Sequence, residues 1–109
     1  MRYAPSGQRI ELAWLYFLLA DCSNHPVGII DVTITSAPEH GTIKVKENGF
    51  PNYEKSRDPQ WVKCNKKKIR GVVIYYMAAK GYTGPDTLDF RVIYPDGLAS
   101  DEHYVINVQ

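Results

Sequence analysis

Ile74–Gly97 reads IYYMAAKGYTGPDTLDFRVIYPDG. Its first residues are the end of an apolar run, Val72–Ala78, whose side chains are hydrophobic at both parities. A strand buried on both faces has that pattern. Gly81 and Gly84 then bracket Tyr82 and Thr83. Two glycines so close predict a tight corner, where positive φ or close backbone approach is needed. Beyond the corner Leu88, Phe90, Val92 and Tyr94 alternate with Thr87, Asp89 and Arg91. A period of two with one polar face predicts a strand packed on a core. Pro95-Asp96-Gly97 ends it with a turn.

The same grammar extends in both directions. Val27–Thr35 places Ile30, Val32 and Ile34 on one face, and Thr42–Lys46 alternates with its lysines outward. Glu102–Val108 sends Tyr104, Ile106 and Val108 inward. Turn signals recur at Pro5–Gly7, Ser23–Pro26, Pro38–Gly41 and Asn48-Gly49. Short strands with this punctuation predict an all-β fold of about seven antiparallel strands, a sandwich or a barrel. Ile10–Leu19 fills both parities with apolar residues, so period alone does not separate strand from short helix. Trp14, Tyr16 and Phe17 favour a strand. Tyr53–Arg70 is a long polar connection with no clear period.

The chain has 109 residues, 44% hydrophobic and 12% aromatic, which suits one folded domain over 1–109. Its net charge of +1 gives no global field for a polyanion. The distribution is uneven. Seven basic against two acidic residues give Glu54–Arg70 a charge of +5 and leave −4 for the rest. That segment is read either as a contact for an acidic partner or as a solvated connection. Tyr53, Arg57, Trp61, Lys63, Lys66, Lys67, Lys68 and Arg70 are its candidate ligand-binding residues. A Trp among cations can stack on a sugar or base while the cations meet carboxylate or phosphate. Alternatively, Trp61 folds back onto the core.

Two blocks resemble the bacterial cadherin-like and immunoglobulin-like β-sandwich repeats of secreted and surface proteins. One is Pro38-Glu39-His40-Gly41-Thr42. The other runs from Tyr76 through Gly81-Tyr82-Thr83-Gly84, Asp86, Leu88, Phe90 and Val92 to Asp96-Gly97. Ala78 and Lys80 stand where prolines are common in that family, and Leu88 replaces an aromatic. The resemblance covers about the last third of the chain and Thr33–Val45. It implies an Ig-like sandwich with Greek-key connections, and an exported domain. Gly41, Gly81, Tyr82, Gly84 and Asp86 are then structural turn residues, with Tyr82 under its corner and Asp86 accepting from corner N–H groups. It also favours pairing Cys22 with Cys64. A bridge there would close a loop of about 43 residues, worth roughly 4 kcal/mol in the chain-entropy model. The alternative is two buried thiols in a reduced compartment.

Some such repeats hold Ca²⁺ through aspartates, and Asp86, Asp96 and Asp101, with Glu102, are the candidates here. Calcium needs six to eight converging oxygens. The spacing matches no EF-hand loop, and turn capping is expected instead. His25, His40 and His103 show no zinc spacing, and no serine stands in a nucleophile elbow. Phosphate-loop and dinucleotide glycine patterns are absent. Neither enzymatic activity nor a cofactor is expected. Ile10–Ala20 is too short to span a bilayer. Glu11 and Asp21 argue against a signal peptide there, so an exported form is expected to have lost its leader.

The expectation is a non-enzymatic extracytoplasmic domain, periplasmic or secreted, monomeric or weakly self-associating. It would bind protein or glycan at the cell envelope. Two alternatives are a structural spacer or assembly subunit working through sheet edges, and a nucleic-acid binder using 53–70.

Overall fold

The computed structural model describes residues 2–16, 30–49 and 71–109. These residues form two β-sheets with no helix. The strands are β1 (Arg2–Ala4), β2 (Arg9–Leu15), β3 (Asp31–Ser36), β4 (Gly41–Gly49), β5 (Gly71–Ala78), β6 (Gly84–Ile93) and β7 (Ala99–Val108). One sheet has the order β1-β7-β6-β3 and the other β2-β5-β4. The expected all-β sandwich is present. Cys22, Cys64, His25 and the whole of Tyr53–Arg70 lie outside the described residues.

The core lies between the sheets and follows the alternation. Leu88, Phe90 and Val92 of β6 face Ile74 and Tyr76 of β5, and all are buried. Ile106 and Val108 of β7 join them. Phe90 and Tyr104 pack as tilted rings 5.5 Å apart, a favoured aromatic geometry. β5 is the central strand of its sheet, paired with β2 on one side and β4 on the other. Its inner-face residues Val72, Ile74, Tyr76 and Ala78 are buried, but on the outer face only Val73 is; Tyr75 is half-buried and Met77 exposed, so the strand is not buried on both faces as its sequence predicts.

Two features depart from the expected pattern. The sandwich is not wholly antiparallel: β1 pairs in parallel with β7, Arg2 opposite Ile106 and Ala4 opposite Val108. This three-residue pairing occupies the edge of β7, and Pro5–Gly7 then carries the chain over to the other sheet. The second is a bulge in β2 between Glu11 and Ala13, which leaves Leu12 as an extra residue. Leu12 and Ala13 are both buried and Trp14 turns outward. Arg9–Leu15 is therefore a strand with a parity switch, which is why its apolar residues fill both parities; residues 17–19 of the expected run lie outside the described residues.

Candidate functional site

The Asp86 carboxylate is buried at the start of β6 and accepts four hydrogen bonds. Oδ2 takes the Tyr76 hydroxyl at 2.7 Å and the His40 N–H at 3.2 Å. Oδ1 takes the Glu39 N–H at 3.1 Å and the Thr87 N–H at 3.0 Å. Its partners differ from the expected ones. Apart from Thr87, they come from β5 and from the β3–β4 connection, not from its own corner. A short acceptor can satisfy two successive N–H groups of a turn, and here it does so across the sandwich. Burial first, and then the Asp86 carboxylate, push the Tyr76 phenol above its ordinary value.

The residues around this cluster fit it tightly. A Cβ at Gly41 would lie 2.5 Å from Tyr76 Cε1 and 2.8 Å from the Met77 carbonyl oxygen, so close approach is what this glycine supplies. At the corner, Gly81 has φ 88° and Gly84 φ 128°. Tyr82 is half-buried, donates to the Pro85 carbonyl and stacks on His40 with centroids 4.0 Å apart. It closes its own corner and leans on the neighbouring turn.

The other candidate carboxylates are spread out. Asp96 accepts the Leu98 N–H and caps the β6–β7 turn. Asp101 receives Arg91 Nε at 2.9 Å across the β6–β7 ladder, and Arg91 holds its carboxyl below the usual aspartate range. Glu102 accepts from Ser100. Among the described residues no three His, Cys, Asp or Glu side chains converge on a possible metal position. His103 pairs with Asp89, directly opposite it in the β6–β7 register, on the exposed side of that sheet. No helix among the described residues is long and apolar enough to cross a membrane.

The surface most suited to a ligand is one that the sequence reading passed over. In the three-stranded sheet the register places Trp14 opposite Val73 and Lys46, Glu11 opposite Tyr75 and Lys44, and Arg9 opposite Met77 and Thr42. These residues share the outer face. Trp14 and Met77 are each 43% exposed. The Trp14 indole N–H donates to Glu11, which fixes the ring, and the Arg9 guanidinium lies 4.4 Å over the Tyr75 ring. Met77 also lines an open groove of about 420 Å³ with Gly7, His40, Thr42 and Lys80. Only the register after the β2 bulge identifies Trp14 as outward; Met77 and Tyr75 were legible as one parity of β5. Comparison of the chain with protein-family models, with curated proteins and with solved structures gives no match.

Proposed function

We propose that this chain is a non-enzymatic, extracytoplasmic Ig-like domain that binds protein or glycan at the cell envelope. The observation that carries the binding reading is the outer face of the β2-β5-β4 sheet. It exposes Trp14 and Met77 among Arg9, Lys44 and Lys46. Exposed large apolar side chains set among charges on a rigid sheet mark contact surfaces more often than catalytic ones. The Ig-like part draws support from the strand order. Two sheets that pair the fourth strand with the fifth and the third with the sixth agree with that architecture. Tyr53–Arg70 lies outside the described residues and stays in the proposed contact surface on its sequence alone, as a basic segment with Trp61 and Tyr53 among its cations.

The test is cosedimentation of the purified chain with isolated bacterial envelopes, left untreated or treated with protease or periodate. Binding should fall in Trp14→Ala/Met77→Ala and in a variant changed at Trp61 and Lys66–Lys68. Binding unchanged in both variants, or absent from every envelope, would overturn the reading. Mass measurement after thiol alkylation, with and without reductant, tests the Cys22–Cys64 bridge. Two alkylated thiols without reductant would remove it, and with it one support for export.

A further inference from the structure

The outer face of β5 is a row, not a patch. Tyr75, half-buried, and Met77, exposed, follow one another along the strand after Val73, which is itself buried, and the groove lined by Met77–Lys80 continues the line. Trp14, Glu11 and Arg9 border the row on the β2 side, and Lys46, Lys44 and Thr42 border it on the β4 side. Three strands spaced about 4.8 Å apart make a face roughly 10 Å wide, and Tyr75, Met77 and the groove beyond them to Lys80 make it roughly 15 Å long. Among the described residues such a strip is on the order of 200 Å², far below the roughly 800 Å² that each partner buries in a standard protein–protein interface. A narrow strip with polar side chains along both flanks fits a linear chain better than a folded protein. A second copy would oppose this row with its own, and Arg9, Lys44 and Lys46 against Glu11 make that contact repulsive.

Charge narrows the class. Among the described residues, four cations, Arg9, Lys44, Lys46 and Lys80, and two carboxylates, Glu11 and Glu39, lie along the row and groove. Glu11 is engaged by the Trp14 indole N–H, and Glu39 Oε2 lies 4.0 Å from His40 Nε2. The net positive character selects an anionic chain. Its density is low for nucleic acid, where about 6–10 phosphate contacts are common in specific complexes. A polymer carrying one carboxylate per sugar matches it. A pyranose also has an apolar C–H face and a rim of hydroxyls, which suits an indole flanked by charged donors and acceptors.

Resting on the binding-module reading above, we propose that the β5 row and the groove at its end bind a linear acidic polysaccharide. Its sugar faces lie on Trp14 and Met77. Its carboxylates meet Lys44, Lys46 and Lys80, together with the Arg9 guanidinium that Tyr75 holds in place.

The test is affinity electrophoresis of the intact chain in gels containing polygalacturonate, or the same polymer after reduction of its carboxyl groups. Polygalacturonate should retard the chain with at least tenfold higher affinity than the reduced polymer. Lys44→Glu and Lys80→Glu, at exposed positions, should each weaken that retardation about tenfold while leaving the melting transition in place, and Trp14→Ala should weaken it similarly. Equal retardation by both polymers overturns the charge selection and leaves glycan binding standing. Retardation insensitive to Lys44→Glu and Lys80→Glu but lost on changing Lys66–Lys68 overturns the site alone. Envelope binding that is abolished by protease, with neither polymer bound, overturns the glycan class and keeps the binding module. Tighter, steeply salt-dependent binding to single-stranded DNA than to polygalacturonate overturns the proposal in favour of nucleic acid.

Discussion

Asp86 shows how much a single side chain can do in a small sandwich, and how little of it is local. Its position after a glycine corner made turn capping the natural expectation. Yet Glu39 and His40 precede it by 47 and 46 positions, and Tyr76 lies in the other sheet. A one-dimensional pattern carries the type of hydrogen bond an aspartate makes but not which distant donors reach it. Gly41 is the complementary case. Its place in a turn was legible, while the cause is the Tyr76 ring packed against it. The energetic consequence is large. Asp86→Ala removes the acceptor for a buried phenol and for two turn N–H groups. Each buried donor left unpaired costs about 1–3 kcal/mol, so the variant should lose roughly 3–5 kcal/mol in urea unfolding. A loss under about 1 kcal/mol would mean that water or rearrangement replaces the carboxylate.

At the scale of elements, strands were readable where the pleat runs undisturbed. β6 alternates from Asp86 to Val92 and β7 does so apart from Val105, so Leu88, Phe90, Val92, Ile106 and Val108 could be assigned inward from sequence, and they are buried. β2 could not be resolved this way because the bulge at Leu12 exchanges its faces halfway along. The aromatic end of the candidate site was hidden by that exchange. β1 gave no periodic signal, since three residues are too few to show one. Between β6 and β7, Arg91 and Asp101 are opposite in register and form a two-pronged contact on the exposed face. The pair raises the Arg91 value and lowers that of Asp101. A carboxylate lowered in the folded state adds stability above its unfolded value and loses it as pH falls through the folded one. Because both groups are exposed, solvent and salt screen the effect. Arg91→Ala should therefore return Asp101 to the ordinary aspartate range in an NMR titration, yet barely move the melting temperature. An unchanged Asp101 titration would show that the contact is not formed in solution.

For the molecule as a whole, the interior formed by the described residues is apolar except where Tyr76 and Asp86 meet. Tyr76 stands on the β2-β5-β4 sheet and Asp86 on the β1-β7-β6-β3 sheet, so their hydrogen bond joins the two layers. Asp86 also holds the connection by which the chain passes from β3 in one sheet to β4 in the other. This polar bridge gives the sandwich a pH dependence at its alkaline end. Tyr76 is raised above its ordinary value by burial and by Asp86, and Tyr94 is raised by burial and by Glu102. Below about pH 10, the unfolded tyrosine value, both states hold the proton and the stabilisation is fully present. Above it the unfolded chain releases protons that the folded one keeps. Stability then falls by as much as about 1.4 kcal/mol per pH unit for each such group, until the folded value is reached. Lysines and the other tyrosines also lose protons in this range, but they are common to wild type and variant. Tyr76→Phe should thus be less stable than wild type at pH 7, by about 1–2 kcal/mol for the lost hydrogen bond. Its urea midpoint should decline less steeply between pH 10 and 11. Parallel declines in the two proteins would mean that the Tyr76 phenol ionises as readily in the folded chain as in the unfolded one, and the buried bridge between the sheets would not be intact.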